Sequence, residues 1–370
     1  YSIAGKALKF NTKADIQPYL DELAGLEHLK KLDFSGNTIG VEASQALADF
    51  ILGLPQPKKD SIVEIDFSDF YTGRLNTEIP QSLDYILPSL LTLKNLSILN
   101  LSDNAFGLQT IEPIEKFLPH AISLDHLILS NNGMGPFAGQ RIAASLFKLS
   151  LNKQNKNKNS LISFICGRNR LENGSTNYLS IALKNHKDLE SIKLYQNGIR
   201  PHGISNLISN GLKYLKNLKY LDLQDNTLTL SSTQILSNNL TNWSNLQELN
   251  LNDCLLSANG SKVLLELLLS TKITTLNSLK LQYNELNYLS LPSLNKYIKF
   301  NENLKFLEIN GNVLKSEELP SEILEISKIL EERGGALDEL DDLEEPESDD
   351  EDDEDDEDDE DEDEDEEEEE

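Results

Sequence analysis

Ten times between residues 29 and 314 the chain repeats one phrase, in which apolar residues at fixed offsets lead, in eight of the copies, to an asparagine and then to another apolar residue. Leu96, Leu99, Leu101, Asn104 and Phe106 make one copy, and Leu124, Leu127, Leu129, Asn132 and Met134 make the next. The period of two at the centre describes a short strand whose alternate side chains point into a core, with the residue between them facing out. The asparagine that follows turns inward, where its amide can satisfy backbone groups as the chain leaves the strand. No unit of this kind can bury its apolar face alone, so the pattern dictates a stacked array.

The pattern is that of leucine-rich repeats. The ladder residues are Asn37, Phe70, Asn104, Asn132, Asn169, Asn197, Asn226, Cys254, Asn284 and Asn312, eight asparagines in ten. Most intervals are 28 to 30 residues, which leaves room for a helix after each strand. The sequence supplies one: Ala46, Leu47, Phe50 and Ile51 fall at helical spacing, as do Leu83, Ile86, Leu87 and Leu90. The expected fold is an α/β solenoid, a crescent with a parallel sheet on the concave face and helices on the convex one. "GKALKF" resembles an incomplete first strand, and a closing helix in "SEILEISKILEERGG" stops at Gly334 and Gly335. The capped ends point to a monomer.

Charge divides the chain at residue 337. Residues 338–370 hold 29 of the 63 acids and no Lys or Arg, leaving 34 acids to face 33 basic residues in the body. The formal charge of -30 therefore belongs to a tail, expected to be disordered, and the repeat domain is taken as residues 1–337. No run of apolar residues is long enough to span a bilayer, which favours an intracellular protein without a membrane partner. Nothing in the pattern marks a nucleic-acid interface.

Neither a phosphate-binding loop nor a nucleophile motif is present, and the five histidines are scattered, each expected to be an ordinary surface or loop residue. Cys166 and Cys254 sit at core positions about 14 Å apart at the strand spacing, too far for a disulfide. "NKQNKNKNS", residues 152–160, lengthens one unit to 37 and is expected to form a mobile loop.

Two features point to a site. The residue before each ladder position is free of core duty, and along the chain these are Gly36, Asp69, Asp103, Asn131, Arg168, Gln196, Asp225, Asp253, Tyr283 and Gly311. Such a polar row at one edge of a sheet suits a protein partner. The second feature is "DFYTGRLNTEIP", where Phe70 replaces the ladder asparagine and Tyr71 to Arg74 follow as a loop expected to lie free on that rim.

The phrases "DFSDFYTGRLNTEIP", "LSDNAFG", "NNGMGP", "CGRNRLENGS" and "QNGIRP" closely resemble the fungal GTPase-activating proteins of Ran. The resemblance implies an activator with no cofactor of its own, GTP and Mg2+ being bound by the partner. It implies docking on the GTP form of Ran, together with a Ran-binding protein, in the cytoplasm, where hydrolysis gives nuclear transport its direction. Asn131 matches the family residue that contacts the water-positioning glutamine of Ran, and Arg74 invites either docking or an arginine-finger role. Asp69, Tyr71, Asp103, Arg168, Arg170, Gln196, Arg200, Asp225 and Asp253 would line the interface. A rival from another class is an acidic-tailed leucine-rich histone binder, whose arrays are shorter. A second is a ribonuclease-inhibitor-like protein, a cysteine-rich family.

Overall fold

The structure is a computed structural model and describes residues 1–314 and 319–345. Eleven parallel strands form one sheet in strict chain order, from Lys31–Asp33 through Ala336–Leu337. In each of the first ten the middle residue is a repeat apolar residue turned inward, as Leu99 is in Ile98–Asn100 and Leu127 in His126–Ile128, both fully buried. Registers match rung for rung: Leu99 pairs with Leu127, Leu127 with Phe164 and Phe164 with Ile192. The helices lie side by side across the other face. Strands spaced at about 4.8 Å on one face and helices at about 8–10 Å on the other force the array to bend with the sheet inside.

The asparagine ladder runs as the spacing requires. Asn104 donates its backbone N–H to Asn132 Oδ1 (2.8 Å) and its Nδ2 to the carbonyls of Phe67 (2.8 Å) and Leu101 (3.0 Å). Asn132 repeats the pattern on Asn169, and Asn169 on Asn197. At Cys254 the thiol bonds the Leu223 carbonyl at 3.3 Å, and burial pushes its pKa up to about 12, so it stays protonated.

At Phe70 the ladder is replaced by aromatic packing. The ring stacks on Phe67 at 5.1 Å and meets Phe34 and Tyr71 edge-on at 5.9 Å each. Burying a phenylalanine contributes about 1.5–3 kcal/mol, against about 1 kcal/mol net for a typical hydrogen bond. The array therefore tolerates the gap, and Asn104 Oδ1 still caps the Phe70 N–H at 2.7 Å.

The three long units have separate causes. An extra helix, Gln56–Ser61, occupies the first, and the 71–77 turn lengthens the second. The third corrects the expectation of a mobile loop at residues 152–160. Residues 152–155 are the last turn of a helix, Gly135–Asn155, and Lys153 is buried there. Its Nζ donates to the Asn159 carbonyl (3.0 Å) and faces Asp125 at 3.8 Å, which ties the insertion to the body.

His186 corrects the surface assignment of the histidines: it is fully buried. Its Nδ1 accepts from Leu161 N (3.2 Å), so Nε2 carries the proton toward the Leu146 carbonyl (2.9 Å) and the ring is neutral. Burial, aided by nearby Lys153, depresses its pKa from 6.5 to about 4. The unfolded chain takes up this proton first, so the stability is present above pH 6.5 and is lost as pH falls toward 4. At 1.36 kcal/mol per unit the loss is about 3 kcal/mol. Urea midpoints measured from pH 7 to 4 are expected to fall less steeply in His186→Asn than in the wild type.

Both ends depart from the expected boundaries. Lys9–Phe10 is a strand but pairs with Thr38–Ile39 in a separate two-stranded sheet, and Ser2 makes the bridge to Asp33 at the main sheet's edge. At the other end the repeat domain does not stop at 337. Asp338 accepts from Ile309 N (2.9 Å), Asn310 N (2.9 Å) and Gln282 Nε2 (2.8 Å), while Leu340 and Leu343 pack on the core. The closing strand, Ala336–Leu337, is only two residues long, so the carboxylate that follows it takes the N–H groups of Ile309 and Asn310 just past the end of Phe306–Glu308. Disorder was expected from 338 onward; residues 338–345 form part of the cap, and 346–370 lie outside the described residues. Ending the chain at Leu337 should cost about 2–3 kcal/mol through the Asp338 carboxylate. Ending it at Glu345 keeps that carboxylate with Leu340 and Leu343, so the Leu337 truncation should have the lower thermal midpoint of the two by scanning calorimetry.

Candidate functional site: the strand-end rim

Every residue of the row before the ladder is left-handed, with φ between +48° at Asp69 and +69° at Gly311. The reason is topological: the chain leaves the strand and turns its next residue inward, while the N–H groups of the nine residues from Gly36 to Tyr283 reach the following repeat. Asp103 N bonds the Ser130 carbonyl (2.9 Å), Asn131 N that of Gly167 (2.8 Å), and Arg168 N that of Tyr195 (2.8 Å). Glycine, aspartate and asparagine tolerate this conformation best. Much of the polarity of the row is therefore conformational. Arg168, Gln196 and Tyr283 lack that explanation, and so do the exposed side-chain functions.

Asn131 is exposed and donates Nδ2 to Asp103 Oδ1 at 2.7 Å. One amide N–H and the whole Oδ1 remain without a partner among the described residues, in an orientation set by a charged acceptor. One rung on, Arg168 and Arg170 are both exposed, and among the described residues neither guanidinium is paired. Farther along, Gln196 Nε2 donates to Asp225 Oδ2 at 2.6 Å. Gln196, Asp225, Asp253 and Leu255 help line an open depression of about 270 Å³. Partial burial there, with Asp225 adding to it, raises the Asp253 carboxyl above its ordinary value. The rim thus runs from an oriented amide through two free cations to an acidic hollow. Arg200 lies beside it, its N–H donating to Asn173 Oδ1 (2.9 Å) at the start of Pro201–Asn210.

The "DFYTGR" segment differs from its expected form. Tyr71 is buried, its hydroxyl 2.8 Å from Ser82 Oγ, so the ring packs the second repeat and offers no surface to a partner. Asp69 is half-buried and accepts from Thr72 Oγ1. Arg74 does not hang free on the rim. Its Nε donates to Thr38 Oγ1 (2.9 Å), and its Nη2 lies at 3.3 Å from the Thr38 carbonyl and 3.4 Å from that of Phe10. All three acceptors are neutral. Thr38 and Asn131 stand three repeats apart, about 14 Å at the strand spacing, so the two residues address different parts of any partner.

Sequence reasoning missed Thr38, which anchors Arg74, and Tyr195, which lies across Gly167. The signal for the second was present: a bulky aromatic stands at the same register as a glycine one repeat away. The pairing recurs where Tyr283 covers Gly311 and its hydroxyl reaches Asp342 at 2.9 Å.

Among the described residues no group of three or more His, Cys, Asp or Glu could hold a metal ion, and no helix is long and apolar enough to cross a membrane. Fold and rim together define a leucine-rich repeat protein that presents an oriented amide and unpaired cations along one edge of its sheet. A family profile described as "Leucine Rich repeat" matches residues 25–48. Ran GTPase-activating protein 1 of Saccharomyces cerevisiae is 52% identical over 324 residues, covering 86% of this chain and 79% of that protein. Ran GTPase-activating protein 2 of Caenorhabditis elegans is 40% identical over 207 residues, covering 55% of this chain and 21% of its own length. Among solved structures, an internalin of Listeria monocytogenes aligns over 85% of this chain and 91% of its own, at 15% identity and a TM-score of 0.39. The chain belongs to the family of Ran GTPase-activating proteins, activators of a GTPase.

Proposed function

We propose that the chain docks its strand-end rim on the GTP-bound form of Ran and accelerates hydrolysis by fixing the geometry of the partner's own catalytic groups. The observation that carries this reading is Asn131, an exposed amide held by Asp103 with a donor and an acceptor left over. A second amide, that of the water-positioning glutamine on Ran, matches both functions and would be held in one rotamer without added charge. Orientation of this kind acts on the attacking water through its effective concentration and alignment. The bond chemistry, GTP and Mg2+ stay on Ran.

Arg168 and Arg170 supply unpaired forks for carboxylates on the partner, and the hollow around Asp225 and Asp253 suits its basic side chains. Arg74 takes the docking role, moving from its neutral anchors to the partner. A cytoplasmic site of action and the presence of a Ran-binding protein in the complex belong to the same proposal.

Single-turnover hydrolysis by purified Ran loaded with GTP is the test. Substoichiometric amounts of the chain should raise the rate by orders of magnitude, with saturation at excess. An unchanged hydrolysis rate would overturn the proposal, as would retention by histones in preference to GTP-locked Ran.

A further inference from the structure

We propose that Tyr195 is a positioning residue that holds the Asn131 turn in register from two repeats away; the inference rests on the role proposed for Asn131. Three neighbouring rungs carry it. Tyr195 leans back over Gly167, so closely that a Cβ at Gly167 would stand 2.4 Å from the ring. Its hydroxyl then reaches past that rung and donates to Ser130 Oγ at 3.2 Å. Ser130 immediately precedes Asn131, and its own N–H is held by Ser102 Oγ at 3.1 Å.

Asn131 stands at φ +53° in the left-handed turn common to the row, and what Tyr195 adds at this rung is a hold on the residue before it. Its backbone is fixed through Gly167 O and its amide through Asp103. The residue before it is fixed by the Tyr195 hydroxyl. Gly167 has an ordinary backbone, since it is absent from the positive-φ residues, so the demand for glycine there is set by the ring alone. An aromatic at 195 and a glycine at 167 therefore form one device, whose output is the direction of the Asn131 amide.

The device is separable from binding. Tyr195→Phe keeps the ring and removes one hydrogen bond, a change expected to lower the maximal stimulated rate of hydrolysis by Ran about fivefold while leaving half-saturation unchanged. Gly167→Ala should act in the same direction more strongly by displacing the ring. In a Tyr195→Ala background it should have no further effect, because neighbours that share one contact are non-additive. Tyr195→Phe should likewise add nothing in an Asn131→Ala background.

If Asn131→Ala lowers the maximal rate but Tyr195→Phe does not, the latch is wrong and the role of Asn131 stands. Should Tyr195→Phe raise half-saturation alone, the hydroxyl touches the partner and positions nothing. If Asn131→Ala itself reaches the wild-type maximum, the reading beneath the proposal fails first.

Discussion

Asn131→Ala is expected to lower the maximal rate of stimulated GTP hydrolysis by about 100-fold while raising half-saturation only a fewfold. The asymmetry follows from where the residue sits. It is exposed at one point on a rim many residues long, so its share of docking is that of one neutral hydrogen bond, about 0.5–1.5 kcal/mol. The orienting role proposed for Asn131 depends on its place along the rim, because the other carboxylate-held amide, Gln196 on Asp225, lies two rungs farther on. Asn131→Asp should be at least as severe, because it removes the NH2 group and places a carboxylate where the amide now lies 2.7 Å from Asp103. Single-turnover hydrolysis titrated with each variant separates the two parameters. A variant that saturates at the wild-type rate would show that the amide contributes contact and no orientation.

The fold was legible because its determinants are local and repeated. Each inward Leu and each ladder asparagine announces its own place, and ten copies leave no alternative register. That Asn131 is exposed was legible for a related reason, shared with the whole row: Asn132 carries the ladder bonds, which frees its neighbour, while the choice of Asn131 within the row came from the family resemblance. What the sequence concealed depends on contacts between repeats that no period records. Tyr71 looked like a rim residue because it follows a break in the ladder, yet the room beside Phe70 and Phe106 draws its ring inward. The Asn152–Ser160 insertion looked like a loop because it is polar. Its first four residues are the last turn of Gly135–Asn155, and a buried lysine closes the turn that follows on a backbone carbonyl. Asp338 looked like the first residue of a charged tail, and only the N–H groups of Ile309 and Asn310 at the end of the last repeat strand reveal its use. The polar row itself had a second cause that composition cannot separate from binding, the left-handed turn common to all ten positions.

Arg74→Ala is expected to harm both parameters, lowering the maximal rate by about tenfold and raising half-saturation by about as much, the scale of one charge-assisted hydrogen bond lost at the interface. The structure poses a question that this variant alone does not answer, because Arg74 also clasps the first repeat through Thr38 and Phe10. Those bonds go to neutral oxygens, and the guanidinium stands beside Gly40, the N-cap of Val41–Gly53, where the helix dipole disfavours a cation. The clasp is therefore weak compared with a carboxylate or phosphate on a partner, and release should be inexpensive. Thr38→Val tests this directly, since it removes the shortest of the three contacts and keeps the arginine. If Arg74 acts on the partner, Thr38→Val should leave stimulation within about threefold of wild type, the scale of one neutral hydrogen bond, and Arg74→Lys should recover affinity only partly because a point charge cannot replace the planar fork. If Thr38→Val instead reproduces the full loss of Arg74→Ala, the arginine serves the cap, and the docking role passes to Arg168 and Arg170.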